Sequence, residues 1–379
     1  MTILEYLFWT CCAFVVYTYF GYPLLLKVAS LFRTGKTDKR SLVPSVSFII
    51  AAYNEEKSIR NKIENTLALD YPADELEIII ASDCSSDRTD DIVMGFAGKG
   101  VRLVRAMERR GKEYAQNLAV EKAKGEILVF SDVGSILERD ALRNIVYNFN
   151  DAGIGAVSSV DKILSDDGRV TGENFYVRYE MMLRELETRV GSVVGLSGSF
   201  FAVRRKVCRG WQEGLPGDFN AVIHSIKLGL RAISDPETIG YYRNVRSERQ
   251  EWLRKIRTVV GGISVIMGHG EILNPFKYGF FSLQVLSHKI FRWLIPFALL
   301  AALLLNLFLA YHTLFYAALL VLQLSFYALA LPGYLSGGEN RCNLFKIPYF
   351  FVTVNLSILY AWAKYIRGER FRTWQPSER

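Results

Sequence analysis

Four nearly unbroken apolar stretches, roughly 4–26, 293–312, 315–334 and 345–364, bracket a middle in which polar and apolar residues alternate with regular periods. Runs of about 20 apolar residues are long enough to cross a bilayer core, so each stretch is expected to span a membrane. The first has no basic region before it and no small-residue cleavage site after it. It reads as a signal anchor, not a removable leader. In the middle, Val46–Ala52 is a continuous apolar run after Pro44 and predicts a buried strand. Glu56–Leu69 predicts a helix, with Ile59, Ile63 and Leu67 recurring every four residues. Leu76–Ser82 is the next strand, Asp87–Phe96 a helix opened by acids, and Val101–Arg105 a short strand. Lys112–Lys124 is helical and ended by Gly125, and Glu126–Ser131 is a fourth strand. Strands alternating with helices imply a parallel, doubly wound α/β sheet.

Beyond residue 150 the pattern loosens. Ile154–Val160 and Ser199–Val203 read as strands. Glu173–Thr188 reads as a helix whose stripe of Phe175, Tyr179 and Met182 is expected to pack in the core. Trp252–Met267 and Phe276–Trp293 are amphipathic and basic through Arg254, Lys255, Arg257, Lys277, Lys289 and Arg292, as interfacial helices are. The expected partition is a membrane helix (1–32), a globular domain (44–245), interfacial helices (246–292), about three membrane helices (293–366) and a basic tail (367–379).

Charge adds an orientation. Lys27, Arg33, Lys36, Lys39 and Arg40 follow the first span, and Glu5 is the only charge before it. The positive-inside rule then puts the amino terminus outside and the domain from residue 44 in the cytoplasm. Three later spans would leave the tail outside, whereas Lys364, Arg367, Arg370, Arg372 and Arg379 ask for the inside. Either one apolar segment is interfacial or re-entrant, or the rule fails here. The net charge of +8 lies beside the membrane segments, which favours anionic headgroups and a phosphorylated substrate over nucleic acid. The five cysteines (Cys11, Cys12, Cys84, Cys208, Cys342) show no metal-ligand spacing and read as reduced structural thiols.

Several chemistries are excluded. Gly111-Lys112 is no phosphate loop, because Ala106 and Glu113 stand where Gly and Ser or Thr are required. No G-x-G-x-x-G follows the first strand, and no H-E-x-x-H or nucleophile elbow occurs. His224, His269, His288 and His312 are scattered singly and read as structural. The positive signals form a series. Tyr53-Asn54-Glu55-Glu56 follows the first strand, and Asp83 ends the second, before Ser85-Ser86-Asp87-Arg88-Thr89. Asp132 ends the fourth, and Asp218 opens a helix after Leu215-Pro216-Gly217. Acids at strand ends face the carboxyl rim of a parallel sheet, where open α/β folds bind ligands.

In this order the motifs resemble the inverting family 2 glycosyltransferases of GT-A fold, in their polytopic membrane-bound form, from about residue 44 onward. The resemblance also rests on Gly111-Lys112 with Asn117 and Ala119, Gly125 to Asp132, Gly195-x-Ser197-Gly198 before Arg204-Arg205, Gly229-x-Arg231 before Asp235-Pro236-Glu237, and Glu251-x-x-Arg254-Lys255. It implies a nucleotide-sugar donor, UDP- or GDP-linked. Tyr53, Glu55 and Asp83 would line the nucleoside pocket, Asp83 accepting from a base N–H. Lys112 would bind the donor, and Arg254 with Lys255 would hold its diphosphate. Asp132 is the first position of the D-x-D element, near ribose and a divalent cation, Mn2+ or Mg2+. Asp218 matches the general base that takes the acceptor's proton. Three departures stand out. Gly134 replaces the second acid of D-x-D, Gly217 replaces the acid before the base, and Lys255 replaces the Trp of Q-x-x-R-W.

The resemblance therefore implies a multi-pass enzyme of the inner (plasma) membrane. It would move one sugar, on the cytoplasmic face, to a membrane-held acceptor such as a polyprenyl-linked saccharide of a cell-surface glycan. A processive synthase is the second reading, disfavoured by the missing Trp and by only three carboxyl-terminal spans. A degenerate nucleotide- or partner-binding protein is the third, supported only by Gly134 and Gly217.

Overall fold

The computed structural model describes residues 2–33, 35, 37–164, 175–211, 214–243, 248–335, 343–371 and 373. Lys36, Glu173, Cys342, Arg372 and Arg379 lie outside the described residues. Two compact units emerge. One comprises Leu26–Gln250, Ser264–Leu283 and Phe371–Arg379, the other Met1–Leu25, Glu251–Ile263 and Gln284–Arg370.

The first unit is built on an eight-stranded sheet. Its strands are β1 (Val46–Ala52), β2 (Leu76–Ser82), β3 (Val101–Arg105), β4 (Ile127–Asp132), β5 (Ser135–Leu137), β6 (Ile154–Leu164), β7 (Phe200–Arg204) and β8 (Arg231–Arg243). Their order is β3-β2-β1-β4-β7-β6-β8-β5. The first four run parallel, as the alternating pattern predicts. β7 is antiparallel to β4 and β6, β8 runs parallel to β6, and β5 is antiparallel to β8. Every residue of β1 is buried, as both faces of a central parallel strand require. The helices Ile59–Leu67 and Ala141–Tyr147 pack Ile59, Ile63, Leu142, Ile145 and Val146 onto the face carrying Phe48, Ile50, Ile78, Ile80 and Val129.

The sequence pattern misses β5 and β8. β8 contains Asp235-Pro236-Glu237, which reads as a turn. The chain accommodates it as an irregularity: Ser158 pairs with Ser234 and Val160 already with Ile239, so the proline bulges out of the ladder. Gly125 does not cap its helix, which ends at Lys122 with Ala123 as cap. Its role is close approach: a Cβ there would sit 2.3 Å from the Ser47 backbone nitrogen in β1. The Phe175–Val190 helix buries Leu183, Glu187 and Val190, whereas Met182 is 41% exposed, so the expected Met stripe is not its core face.

Four helices among the described residues are long and apolar enough to cross a membrane: Ile3–Phe32, Phe280–Leu309, Leu314–Leu335 and Leu344–Ile366. The boundary expected near residue 293 is absent. The helix from Phe280 to Leu309 runs on through Pro296, and Gly279, at φ 55°, is where the chain turns. Within the second unit Phe8 packs with Ala302, Leu309 and Tyr316, and Ile256 and Val260 pack against Ala361.

Candidate active site

The site is assembled at the carboxyl ends of β1, β2 and β4. The loops after β1 and β2 are laced to each other. Asn54 (φ 51°) donates from its backbone to Ser85 Oγ at 3.2 Å and accepts from Ser86 N at 2.8 Å. Glu55 N donates to Thr89 Oγ1 at 2.7 Å, and Glu56 N to Asp87 Oδ2 at 3.0 Å. Ser85, Ser86, Asp87 and Thr89 are thus the braces that hold Tyr53 and Glu55 at the rim. The bonds from Thr89 and Glu56 outweigh burial and hold the Asp87 carboxyl below its ordinary range. The Arg109 guanidinium stacks over the Tyr53 ring at 3.8 Å.

Asp83 is wholly buried. Its carboxylate accepts from Arg110 N at 2.9 Å and, with both oxygens, from Gly111 N at 3.0 Å. Gly111 adopts φ 111°, which a side chain would resist, and this lets two successive N–H groups converge on one acid. A base N–H would have to share oxygens already engaged with this turn.

The turn delivers Lys112, the first residue of the Lys112–Lys122 helix. Lys112 Nζ donates to Asp132 Oδ1 at 2.5 Å and to the Gly198 carbonyl at 3.2 Å. Burial would lower its basicity, but the charge and hydrogen bond of Asp132 outweigh that and raise it, so the ammonium persists. Gly198 adjoins the next acid: a Cβ on it would lie 3.4 Å from Asp218 Oδ2. Asp218 sits in the first turn of the Gly217–Lys227 helix. Asp83, Lys112, Asp132 and Asp218 are therefore linked through adjoining residues along one rim.

The segment carrying Gly198 is pinned by an acid the sequence did not single out. Ser197 Oγ donates to both oxygens of Asp161, at 2.6 and 2.8 Å, and Ser199 Oγ to Asp161 Oδ1 at 2.9 Å. Asp132 N donates to Ser199 O at 3.0 Å, tying that segment to β4. Beneath the β4–β5 turn lies Lys62, 2% exposed. Its Nζ donates to Ser131 Oγ at 2.7 Å and to the carbonyl and hydroxyl of Ser135 at 2.9 and 3.1 Å. Burial pulls its pKa down to about 7, against the attraction of Asp132. The signal was present: Ile59, Lys62, Ile63 and Thr66 share the buried helix face, so a lysine stands in an apolar row.

Gly217 has a tertiary explanation. A Cβ there would meet the Trp211 indole at 3.3 Å and Gln116 Oε1 at 3.5 Å. Trp211 itself stacks on Phe130, centroids 5.6 Å apart. His224, on the Gly217–Lys227 helix, packs edge to face at 5.6 Å against His269, which follows the Glu248–Gly268 helix. His269 lies 2.8 Å from Lys227 Nζ and 3.2 Å from Asn220 Oδ1. Burial pulls His224 to about 4, which keeps it neutral and structural. Arg254 lies on the Glu248–Gly268 helix, within the other compact unit. Glu251 grips its guanidinium at 2.7 and 2.8 Å, and Lys255 Nζ lies 4.6 Å over the Phe350 ring.

A divalent cation fits these residues poorly. Among the described residues no three His, Cys, Asp or Glu side chains cluster as a metal site. The D-x-D element retains one carboxylate, Asp132, and an ammonium already lies on it. Mg2+ and Mn2+ favour several oxygen ligands.

The parallel half-sheet, the acids at its rim and the helix-borne Asp218 define a GT-A domain. Residues 47–211 match the profile of glycosyl transferase family 2. The chain is 28% identical over 240 residues to the probable glycosyltransferase YdaM of Bacillus subtilis (strain 168), covering 59% of this chain and 57% of the relative. It is 25% identical over 253 residues to the poly-beta-1,6-N-acetyl-D-glucosamine synthase of Staphylococcus aureus (strain COL), covering 64% of this chain and 60% of that one. The chain thus matches less than two thirds of the length of these curated relatives. The solved structure of the mannosyltransferase PcManGT from Pyrobaculum calidifontis, in complex with GDP-Man and Mn2+, superposes with a TM-score of 0.73 at 24% identity. That match covers 96% of this chain and 100% of the other and establishes a shared fold.

Proposed function

We propose that this chain is an inverting glycosyltransferase that moves a sugar from a nucleotide diphosphate donor to a hydroxyl of a membrane-held acceptor. The observation that carries the reading is Lys112 bonded to both Asp132 and the Gly198 carbonyl, with Asp218 beside Gly198 at the sheet rim. Asp218 takes the acceptor's proton as that oxygen attacks the anomeric carbon, and the nucleoside diphosphate departs from the opposite side. A single displacement inverts the anomeric centre. Tyr53, braced by Arg109, and Glu55 flank the nucleoside, while Asp83 fixes the turn that presents Lys112. Arg254 is kept as a diphosphate ligand on its sequence motif alone. Mg2+ or Mn2+ on Asp132 is the family's arrangement, and the donor set found here argues for a different one.

Four helices of membrane-spanning length and the basic residues beside them support a multi-pass protein with its sheet domain in the cytoplasm and an acceptor of polyprenyl-linked type. The substitution D218N is expected to abolish transfer while fold and nucleotide binding persist. Full turnover by that variant would reject Asp218 as base. Similarity to a poly-N-acetylglucosamine synthase favours a second reading, processive polymerisation. Product length separates them: one added residue per acceptor supports single transfer, and a long ladder supports the polymerase.

A further inference from the structure

We infer that Lys112, in place of a divalent cation, neutralises the donor diphosphate in this chain, so that donor binding does not depend on Mg2+ or Mn2+. The inference rests on the nucleotide-sugar reading above and goes beyond it.

Three observations carry it. First, the acids are too few. Gly134 leaves the β4–β5 turn with Asp132 as its one carboxylate, and no cluster of three ligating side chains occurs among the described residues. Second, the cation position is taken. Lys112 Nζ lies 2.5 Å from Oδ1 of Asp132, the carboxylate a metal would need. The same ammonium is steered by the Gly198 carbonyl at 3.2 Å, next to Asp218. Third, the turn is built around another lysine. Lys62 reaches its underside with three hydrogen bonds, to Ser131 and Ser135. A dication seated on Asp132 would have to displace the Lys112 ammonium, with the Lys62 amine beneath the same turn.

Lys112 is suited to the task. Its three N–H bonds point in fixed directions once two are accepted by Asp132 and Gly198. Among the described residues this leaves the third for a phosphate oxygen, and the side chain is 23% exposed. An ammonium is a compact point charge that binds phosphate without bidentate geometry. Asp132 then acts as the anchor that holds the ammonium in place, and Asp83 as the anchor of its helix start.

Calorimetry of the full chain in detergent with UDP, GDP, ADP, CDP and dTDP, in EDTA and in Mn2+ or Mg2+, tests this. The nucleotide that binds is expected to do so with Kd values within about threefold in all three buffers. K112M is expected to weaken binding by about thirtyfold or more in EDTA, and K112R to retain it within about tenfold. A wild-type affinity that falls about tenfold or more in EDTA and returns with Mn2+ overturns the inference, as does a K112M variant that binds like wild type. Absence of binding by every nucleotide in every buffer rejects the nucleotide-sugar reading itself. That result is distinct from metal-dependent binding, which would leave the reading intact and remove only this inference.

Discussion

Asp83 and Asp132 have the same local sequence and opposite fates. Each follows a serine at the end of an apolar strand, and both strands flank β1 in parallel. Asp83 is fully buried and gathers the backbone N–H groups of Arg110 and Gly111. The Asp132 side chain is 30% exposed and faces an ammonium. The difference comes from what the fold sets opposite each acid. A glycine at positive φ turns two amides toward Asp83, whereas a helix start and the Gly198 segment bring Lys112 to Asp132. A strand-end acid at a binding rim can thus be part of the scaffold or part of the chemistry, and its own strand does not say which.

Substitutions should separate the two roles, the largest effect on each side coming first. D132N is expected to lower kcat/KM for transfer about a hundredfold, because Lys112 loses its charged anchor, with the melting temperature little changed. D83A is expected to act on stability. It strips a buried acceptor from two amides and should cost about 2–4 kcal/mol in denaturant titrations. A D83A protein that melts like wild type yet loses donor binding would reverse the assignment and return Asp83 to the nucleoside.

K62M probes the turn beneath Asp132. Its donor KM is expected to rise about fivefold through the lost hydrogen bonds, with stability at neutral pH held or raised, since an apolar chain replaces a buried amine. The pH dependence is diagnostic. Burial puts the folded Lys62 near 7, below its unfolded value. Between the two values the unfolded chain binds the extra proton, so Lys62 makes stability rise with pH above 7 and fall toward it. K62M should flatten that slope, and an unchanged slope would show that Lys62 does not titrate in this window. The smallest effect is at Cys84, held at φ 58° directly after Asp83. C84G should stabilise by about 0.5–1 kcal/mol by relieving the left-handed backbone, a change with no counterpart after Asp132.

Much of this was readable in the chain. β1, β2 and β3 lie where continuous apolar runs predict them, and the rim acids follow in their expected order. β8 was not readable, because Asp235-Pro236-Glu237 mimics a turn and only pairing with β6 makes it a bulged strand. The Met182 stripe misled because spacing gives a face without saying which face is covered. Asp161 and Trp211 gave no signal: each matters through residues distant in sequence, Ser197 and Ser199 for one, Gly217 and Phe130 for the other. Lys62 was legible as a charge in an apolar row, though what satisfies it was not.

The order of residues alone determined the alternating α/β core, the apolar membrane-length segments and the family profile that residues 47–211 match, because periodicity and short motifs are local properties of the chain. Only the tertiary structure decided that Lys112 lies on Asp132, that Asp83 is closed over by backbone amides and that Trp211 crowds Gly217. Those outcomes depend on which strands become neighbours. Hydrogen-bond and ion-pair contacts of 2.5–3.2 Å between segments 20 to 86 residues apart are set by packing, and no local pattern encodes them.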